Sequence, residues 1–566
     1  MKAVPIAAIA ALLIGLLTVA VFLPALNNGF VNWDDDRNLV NNPNFRGFDW
    51  IQLKWMWTNR WMSHYVPLTW LSFGLDYVIW KGNAFGYHLT NVLLHAANAA
   101  VFFLLALKIF KRAFPQKEPH REWPLLCGAA FAALFFSLHP LRVESVAWVT
   151  ERRDVLCGLF YLFALLVYVR AFPREPRRSM QRWPYLMCLG LFVMALLSKE
   201  IAITLPGILL LLDIYPLGRL GGPGRWVGRE VWGVWLEKVP FLLIGLADGC
   251  LVLYFGIRNY LVEPVAVLGW ATRIKITLYG MAFYLRKTIA PTGLSPLYPI
   301  TRYKTLLWGT PFQLSAALVL AVTLLCILLH RRFRGLLSAW AACAVTLLPV
   351  SGLIQNGFQI AADRYSYLAC LGFALLAGAV VSLAWRSPDH SRTRRVLITS
   401  GALLVLFTLS FLTRKQIAVW RDSDTLWTHA IAVEPSFVAH LNLGSSFFGE
   451  GDALGAARQF RQAIALWPDN AGAHINLGKA LADLRQWEEA AEEFRRAVQL
   501  EPTPAAFNSL AHALATQGKL DEAIGALREA LERDPDDGVA RRNLQAIVSL
   551  KERQEAGTGV VPRDAR

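Results

Sequence analysis

Long apolar blocks separated by short basic loops fill the first three quarters of the chain, and an amphipathic helical pattern fills the rest. Residues 3 to 26 carry no charge. At roughly 1.5 Å of rise per residue such a run crosses the hydrocarbon core of a bilayer. No small-x-small cleavage site follows it, so it reads as a first anchor rather than a removed leader. Further spans are expected at about 86–107, 124–139, 154–172, 183–198, 200–215, 239–257, 311–330, 335–353, 366–385 and 396–413. The strongest basic loops are Lys108 to Arg121, Arg170 to Arg182, Arg219 to Arg229, His330 to Arg334 and Arg386 to Arg395. All five fall on the cytoplasmic side if the segment around 270–291 does not cross, which makes Arg273 to Lys287 a re-entrant or interfacial helix. The count is then 11 crossings, with the amino terminus inside and everything after Thr413 outside. Residues 27 to about 85 form a polar, Trp-rich external loop, a composition suited to short helices lying in the membrane interface.

From about residue 421 the period changes. Pro435, Pro468, Pro502 and Pro535 recur at intervals of 33, 34 and 33, the period of a tetratricopeptide array. Leu441-Asn-Leu-Gly444 and Ile475-Asn-Leu-Gly478 open two first helices, and Phe507-Asn-Ser-Leu510 opens a third. Ala457, Ala490 and Ala523 are small where paired helices must approach closely. A half unit (Thr425 to Pro435) precedes three full units, and a capping helix near Val539 to Lys551 follows them. The fold class is all-α, a polytopic membrane bundle over 1–415 followed by a tetratricopeptide-repeat α-solenoid over 421–556, with 557–566 a disordered tail.

Composition sharpens this picture. The chain is 55% hydrophobic with a mean hydropathy of +0.37, too apolar for a soluble chain of 566 residues. The net charge of +16 sits mainly in the short loops, where membrane topology demands it, which argues against a nucleic-acid groove. All seven cysteines lie in or beside apolar stretches without metal-ligand spacing, so neither a disulfide framework nor a zinc site is indicated.

Candidate chemistry concentrates in the first loop, at Asp34-Asp35-Asp36. Carboxylates at a water–lipid boundary are partly desolvated, and one of them can be held at a raised pKa as a general base. A neighbouring acid could hold the acceptor, bind a divalent cation or raise the base's pKa by repulsion. The competing reading is a solvated acidic turn capping a helix.

A second external stretch runs from His139 to Asp154. If it is helical, Glu144, Trp148 and Arg152 share a face, and Arg142, Arg152 and Arg153 could meet a lipid phosphate. It could equally be an interfacial helix with local ion pairs. His88, Asn91, His95 and Asn98 line one face of the next span and serve interhelical hydrogen bonding or contact substrate. Lys199-Glu200 and Asp363-Arg364-Tyr365 complete the external polar groups, with Arg364 the better phosphate clamp and mutual neutralisation the alternative role of Lys199 and Glu200.

Together these stretches resemble the transmembrane and tetratricopeptide-repeat O-mannosyltransferases, related to the protein O-mannosyltransferases of the GT-C glycosyltransferase fold. The resemblance rests on Phe30-Val-x-Trp-Asp34-Asp35 with Asn42 after it, Pro67-Leu-Thr, Gly86-Tyr-His88-Leu-x-Asn91-x-Leu-Leu-His95, His139-Pro140-x-x-x-Glu144-x-Val-Ala, Arg152-x-Asp154-Val-Leu, Lys199-Glu200, Asp363-Arg364-Tyr365-x-Tyr367 and the repeats. It implies a polyprenyl-phosphate sugar donor, with mannose as the sugar, and transfer to an acceptor hydroxyl at the non-cytoplasmic face. By position Asp34 is the catalytic base and Asp35 its acidic partner. Arg152, Arg364 and Lys199 are expected at the donor phosphate, and His88, His95, His139 and Glu144 in the substrate pocket. Arg142 and Arg153 depart from the expected pattern, Asp36 lies outside it, and the repeats are fewer than longer members carry. No metal is assigned and no cofactor is certain, a divalent cation being an open alternative.

The expected partners are the lipid-linked sugar, an acceptor protein or peptide held by the repeats, and the bilayer, with no nucleic acid. The expected location is the inner membrane, with acidic loop and repeats on the periplasmic or external side. Two rivals remain, a membrane-anchored repeat scaffold and a lipid-linked oligosaccharide ligase. Several polar residues inside the membrane exceed what an anchor needs, and a ligase would be expected to work from a large late external loop.

Overall fold

A computed structural model describes residues 6–114, 122–171, 181–221, 226–259, 268–300, 309–354, 359–386 and 392–555. The expected tail at 557–566 and parts of four of the five basic loops lie outside the described residues. The chain forms two compact units, Met1–Asp422 and Ser423–Arg566.

The first unit is built of helices. Six are long and apolar enough to cross a membrane among the described residues, namely Ile6–Asn27, Ala84–Ala113, Val149–Ala171, Val231–Arg258, Thr310–Leu329 and Arg392–Val419. The count rises to eight if Trp123–Ser137 with Pro140–Ala147, and Asp363–Ala369 with Leu371–Arg386, each make one bent span. The sequence reading expected eleven crossings, and the difference falls on three of them. The stretch at 183–198 gives a 15-residue helix, Arg182–Leu196, and that at 335–353 gives a 14-residue helix, Arg334–Leu347. That at 200–215 begins as a 3-10 turn and leaves only ten residues in Leu205–Ile214. At 1.5 Å per residue none of the three crosses roughly 30 Å of hydrocarbon alone. Trp270–Ile289, expected as re-entrant or interfacial, is one unbroken 20-residue helix with Arg273 near its start and Arg286 and Lys287 in its last turn.

Polar residues inside the bundle are consumed in joining helices, because hydrocarbon offers a stray donor no partner. On Ala84–Ala113, Asn91 Nδ2 donates to the Val146 and Trp148 carbonyls at 3.1 and 3.3 Å, and Asn98 Nδ2 to the Val155 carbonyl at 2.8 Å. His95 bridges the Tyr367 hydroxyl at 2.8 Å and the Ser137 carbonyl at 3.0 Å. Glycine sets the closest approach. A Cβ on Gly128 would lie 2.4 Å from the Gly378 carbonyl oxygen, and one on Gly378 would lie 2.3 Å from that of Gly128. Trp123–Ser137 and Leu371–Arg386 therefore pack backbone against backbone.

The second unit is a run of helix pairs, Phe437–Gly449 with Ala453–Leu466, Ala471–Asp483 with Trp487–Leu500, and Pro504–Thr516 with Leu520–Arg533. Ser423–Val433 precedes them and Gly538–Glu555 follows. Each first helix starts on a side-chain cap, with Ser436, Asn470 and Thr503 accepting from the N–H three residues on. Ala457, Ala490 and Ala523 are fully buried. The repeat glycine has a steric cause, since a Cβ on Gly444 or Gly478 would come within 2.6 Å of the Phe460 or Phe494 ring of the second helix.

Candidate active site

The stretch from Asn32 to Val40 folds into a tight acidic turn rather than a simple helix cap. Asp34 has a left-handed backbone, φ 70, a conformation that costs most residues energy and that Asp tolerates better than most. A π-helical turn over Asp36–Val40 follows directly, and such turns concentrate at functional sites. Asp35 is buried and holds the turn in place. It accepts the Val31 N–H at 3.1 Å, the Thr150 N–H at 2.9 Å and the Thr150 hydroxyl at 2.6 Å. Burial pushes its carboxyl up to about 7, against the lowering effect of these donors.

Asp34 is half-buried and lines a cavity of about 60 Å³ with Asn38, Trp61, His64, Thr150 and Arg153 among its other walls. Burial raises its carboxyl above the ordinary value, while the positive charges of Arg153 and Arg364 pull it back. Behind the cavity lies a buried charge cluster. Glu151 pairs with Arg153 at 2.7 Å and Lys199 at 2.6 Å, and stands 3.6 Å from Arg364. Lys199 also holds Asp154 at 2.8 Å. Arg364 donates its backbone N–H to Glu144 at 2.8 Å, pairs with that carboxylate through its guanidinium, and lies over the Trp148 ring. At the rim His64 meets Glu200 at 3.1 Å. Burial alone would raise the Glu200 carboxyl, but the His64 charge and hydrogen bond, with Arg153, hold it down to about 2.

Four stretches far apart in sequence thus meet in one place, carrying Asp34–Asp35, Glu144–Asp154, Lys199–Glu200 and Arg364. The expected helical face through Glu144, Trp148 and Arg152 does not form. Trp148 has an extended backbone, ψ 117, between the short helix Val143–Ala147 and a 3-10 turn at Val149–Glu151. Glu144 turns to Arg364, whereas Arg152 turns to Asp76 at 2.6 Å, the Tyr87 carbonyl at 2.8 Å, Ser72 and Asn91. Arg152 is fully buried with four of its five N–H groups engaged. The cation lining the cavity is its neighbour Arg153.

His88, His95 and His139 are buried, and none lines the cavity. His88 faces the Gly29 carbonyl at 3.4 Å, and His139 the Thr288 carbonyl at 3.1 Å. His64, Trp61 and Thr150 line the cavity without being marked individually by the sequence. Trp61 and His64 had only the Trp-rich composition of the first loop as a local signal, and Thr150 only its place in the polar stretch His139 to Asp154. Among the described residues no three His, Cys, Asp or Glu side chains are grouped to hold a metal ion. The carboxylates of the cluster are instead held by cations and N–H donors.

An all-α polytopic membrane bundle with a buried acidic–basic centre, joined to a tetratricopeptide array, is the class of protein these features define. Residues 441–506 and 479–538 match the tetratricopeptide-repeat family model. The chain is 25% identical to the human "Protein O-mannosyl-transferase TMTC4" over 493 residues, covering 80% of this chain and 65% of that one. It is 27% identical to the human "Protein O-mannosyl-transferase TMTC1", covering 79% and 54%, and 24% identical to the human "Protein O-mannosyl-transferase TMTC3", covering 82% and 52%. The chain therefore spans about half to two thirds of the length of these relatives, and its resemblance to the transmembrane and tetratricopeptide-repeat O-mannosyltransferases runs across both units. Among solved structures, the crystal structure of the APC/C hetero-tetramer Cut9-Hcn1 overlaps 86% of this chain and 91% of that one at 15% identity and a TM-score of 0.24.

Proposed function

We propose that the chain is a membrane glycosyltransferase that moves a sugar, mannose by analogy with its relatives' names, from a polyprenyl-phosphate donor to a hydroxyl of a protein acceptor at the non-cytoplasmic face. The observation that carries this reading is Asp34, half-buried in a cavity wall beside Arg153, with its carboxyl raised and its backbone held left-handed. A carboxylate so placed takes the proton of the acceptor hydroxyl as the oxygen bonds to the anomeric carbon. The bond from that carbon to the phosphate oxygen breaks, and its electron pair leaves with the phosphate, so no general acid is required. Arg153 and Arg364 supply positive charge as charge builds on the leaving group.

Asp35 is a positioning residue in this scheme. Its bonds to Val31 and Thr150 fix the turn that presents Asp34. Lys199 holds Glu151 and Asp154 behind Arg153, and Glu144 orients Arg364. Arg152 braces Ala84–Ala113 through Asn91, and the repeats present the acceptor.

Membranes carrying the full chain, assayed with labelled polyprenyl-phosphate sugars one at a time, test the reading. Asp34→Asn is expected to abolish transfer while the protein stays folded. Near-normal turnover in that variant removes the acid–base assignment.

A further inference from the structure

The last span is docked at one end only. In Arg392–Val419 the buried residues are Leu409, Thr413 and Ile417, one stripe in the half nearest its carboxy end, and Trp420 just beyond is 1% exposed. Earlier in the helix Val396, Leu397, Leu403, Leu404 and Phe407 are exposed. Polar bonds fasten the same buried end. Thr413 donates its hydroxyl to the Leu138 carbonyl at 2.7 Å, the Asn28 amide donates to the Ile417 carbonyl at 3.3 Å, and the Gly29 N–H donates to the Arg421 carbonyl at 2.8 Å. Asn28 and Gly29 lie just before the turn that carries Asp34.

An aromatic stack carries this connection inward. Trp420 stacks with Trp148, the ring centroids 5.7 Å apart and the planes 23° apart, and Trp148 stacks with Trp33 at 6.1 Å and 26°. Trp33 adjoins Asp34 in the chain, and the Arg364 guanidinium lies 5.4 Å from the Trp148 ring centre. No regular helix places that indole, because Trp148 is extended between a short helix and a 3-10 turn. Its ring is placed instead by what packs against it, and in a close-packed interior a side chain follows its neighbours.

Anchoring in a bilayer requires none of this. A helix that only holds the chain in place needs apolar length. A tryptophan that marks the interface keeps its polar edge at the headgroups, whereas Trp420 is enclosed by protein.

We infer that Trp420 is a positioning residue of the site, holding the Trp148 ring and through it the Arg364 guanidinium in place against Asp34. The effect on rate rests on the transfer proposed above, whereas the hold on Arg364 is measurable in the folded protein without turnover. The membrane unit ends at Asp422, immediately after Trp420 and Arg421.

The test compares three variants of the full chain. Trp420→Phe keeps a smaller ring, Trp420→Leu keeps none, and Thr413→Val loosens the same helix end without touching the stack. In membranes supplied with lipid-linked sugar, kcat should fall from wild type to Phe to Leu, by up to about 100-fold at Leu, as misplacing a group by roughly 1 Å can do. The pH profile of kcat/KM gives a readout that looser packing alone would not move. Arg153, Arg364 and Arg37 face the Asp34 carboxyl and lower it, while Glu151 raises it and Asp35 lies beside it. When the Arg364 charge swings away the midpoint should rise, in both Trp420 variants and not in Thr413→Val. If Trp420→Leu does not fold, Trp420→Phe decides alone. Without turnover, differential scanning fluorimetry on Trp420→Phe, Arg364→Met and the double variant should give shifts that do not add, because both residues bear on Trp148. Additive shifts overturn the assignment, as does an unmoved midpoint in Trp420→Phe or an equal rise in Thr413→Val. Non-additive shifts in a chain that transfers no sugar from any lipid-linked donor uphold the positioning role and overturn the proposed function instead.

Discussion

Asp35 accepts both the backbone N–H and the hydroxyl of Thr150, at 2.9 and 2.6 Å, across 115 residues of sequence. That pair fastens the acidic turn after the first span to the 3-10 turn Val149–Glu151 that opens Val149–Ala171. It sets Asp34, which belongs to the first element, against Arg153, which belongs to the second. Adjacent carboxylates therefore hold different offices, Asp34 facing the cavity and Asp35 facing the protein.

Substitution separates the two roles. Asp35→Asn places an amide N–H against donors that a carboxylate accepted, so one bond is lost and a second donor is stranded. A charged hydrogen bond of this kind is worth about 1.5–3 kcal/mol. The variant is expected to unfold at a lower temperature and to lose activity with it. Asp34→Asn is expected to lose activity at an unchanged unfolding temperature, and differential scanning fluorimetry on both proteins decides between them.

The pH dependence follows from the Asp34 carboxyl. Burial raises it, and a general base works only when deprotonated, so kcat/KM should fall as pH is lowered, with a midpoint above the ordinary carboxylate range. Arg153 opposes this shift. Arg153→Gln should therefore move the midpoint to still higher pH, and a midpoint that moves down in the pH–rate profile contradicts the assignment.

Glu144 and Arg364 are both buried, and the carboxylate takes the backbone N–H at 2.8 Å as well as the guanidinium. Removing Glu144 leaves Arg364 with Glu151, 3.6 Å away, as counter-charge in a low-dielectric interior, at a cost below the roughly 3–5 kcal/mol of a fully stranded charge. Glu144→Ala is expected to destabilise by about 2–4 kcal/mol. Glu144→Ala with Arg364→Met should cost less than the two single changes added together, and a double-mutant cycle from denaturant unfolding measures the difference.

In the repeats, two glycines should respond oppositely to the same change. Gly478→Ala drives a methyl to 2.6 Å from the Phe494 ring, and overpacking of this kind costs about 1–3 kcal/mol. Gly525, within Leu520–Arg533, has nothing within 4 Å of its Cβ position. Gly525→Ala should leave stability unchanged or raise it by about 0.5–1 kcal/mol, because alanine gives up less backbone entropy in a helix. Thermal unfolding followed by far-UV ellipticity distinguishes the pair.

Features that depend only on neighbours along the chain can be read without the fold. Membrane helices need only a sustained apolar run, and the repeat needs only its period, so Ala84–Ala113 and the spacing of Pro435, Pro468, Pro502 and Pro535 were legible directly. The acidic loop and the polar stripe of His88, Asn91, His95 and Asn98 were legible for the same reason. The partner that each charge finds is set by packing between distant elements. Arg152 and Arg153 are adjacent in sequence, yet one is enclosed with Asp76 and the other lines the cavity, because the extended backbone at Trp148 and the turn at Val149–Glu151 set the phase of the helix that follows. His64 and Trp61 carry no motif, and they join the site through a strained segment and a contact with Glu200, 136 residues away. Pairing across such distances is fixed by the packing of the whole bundle, where a buried charge must find its counterpart wherever the fold places one.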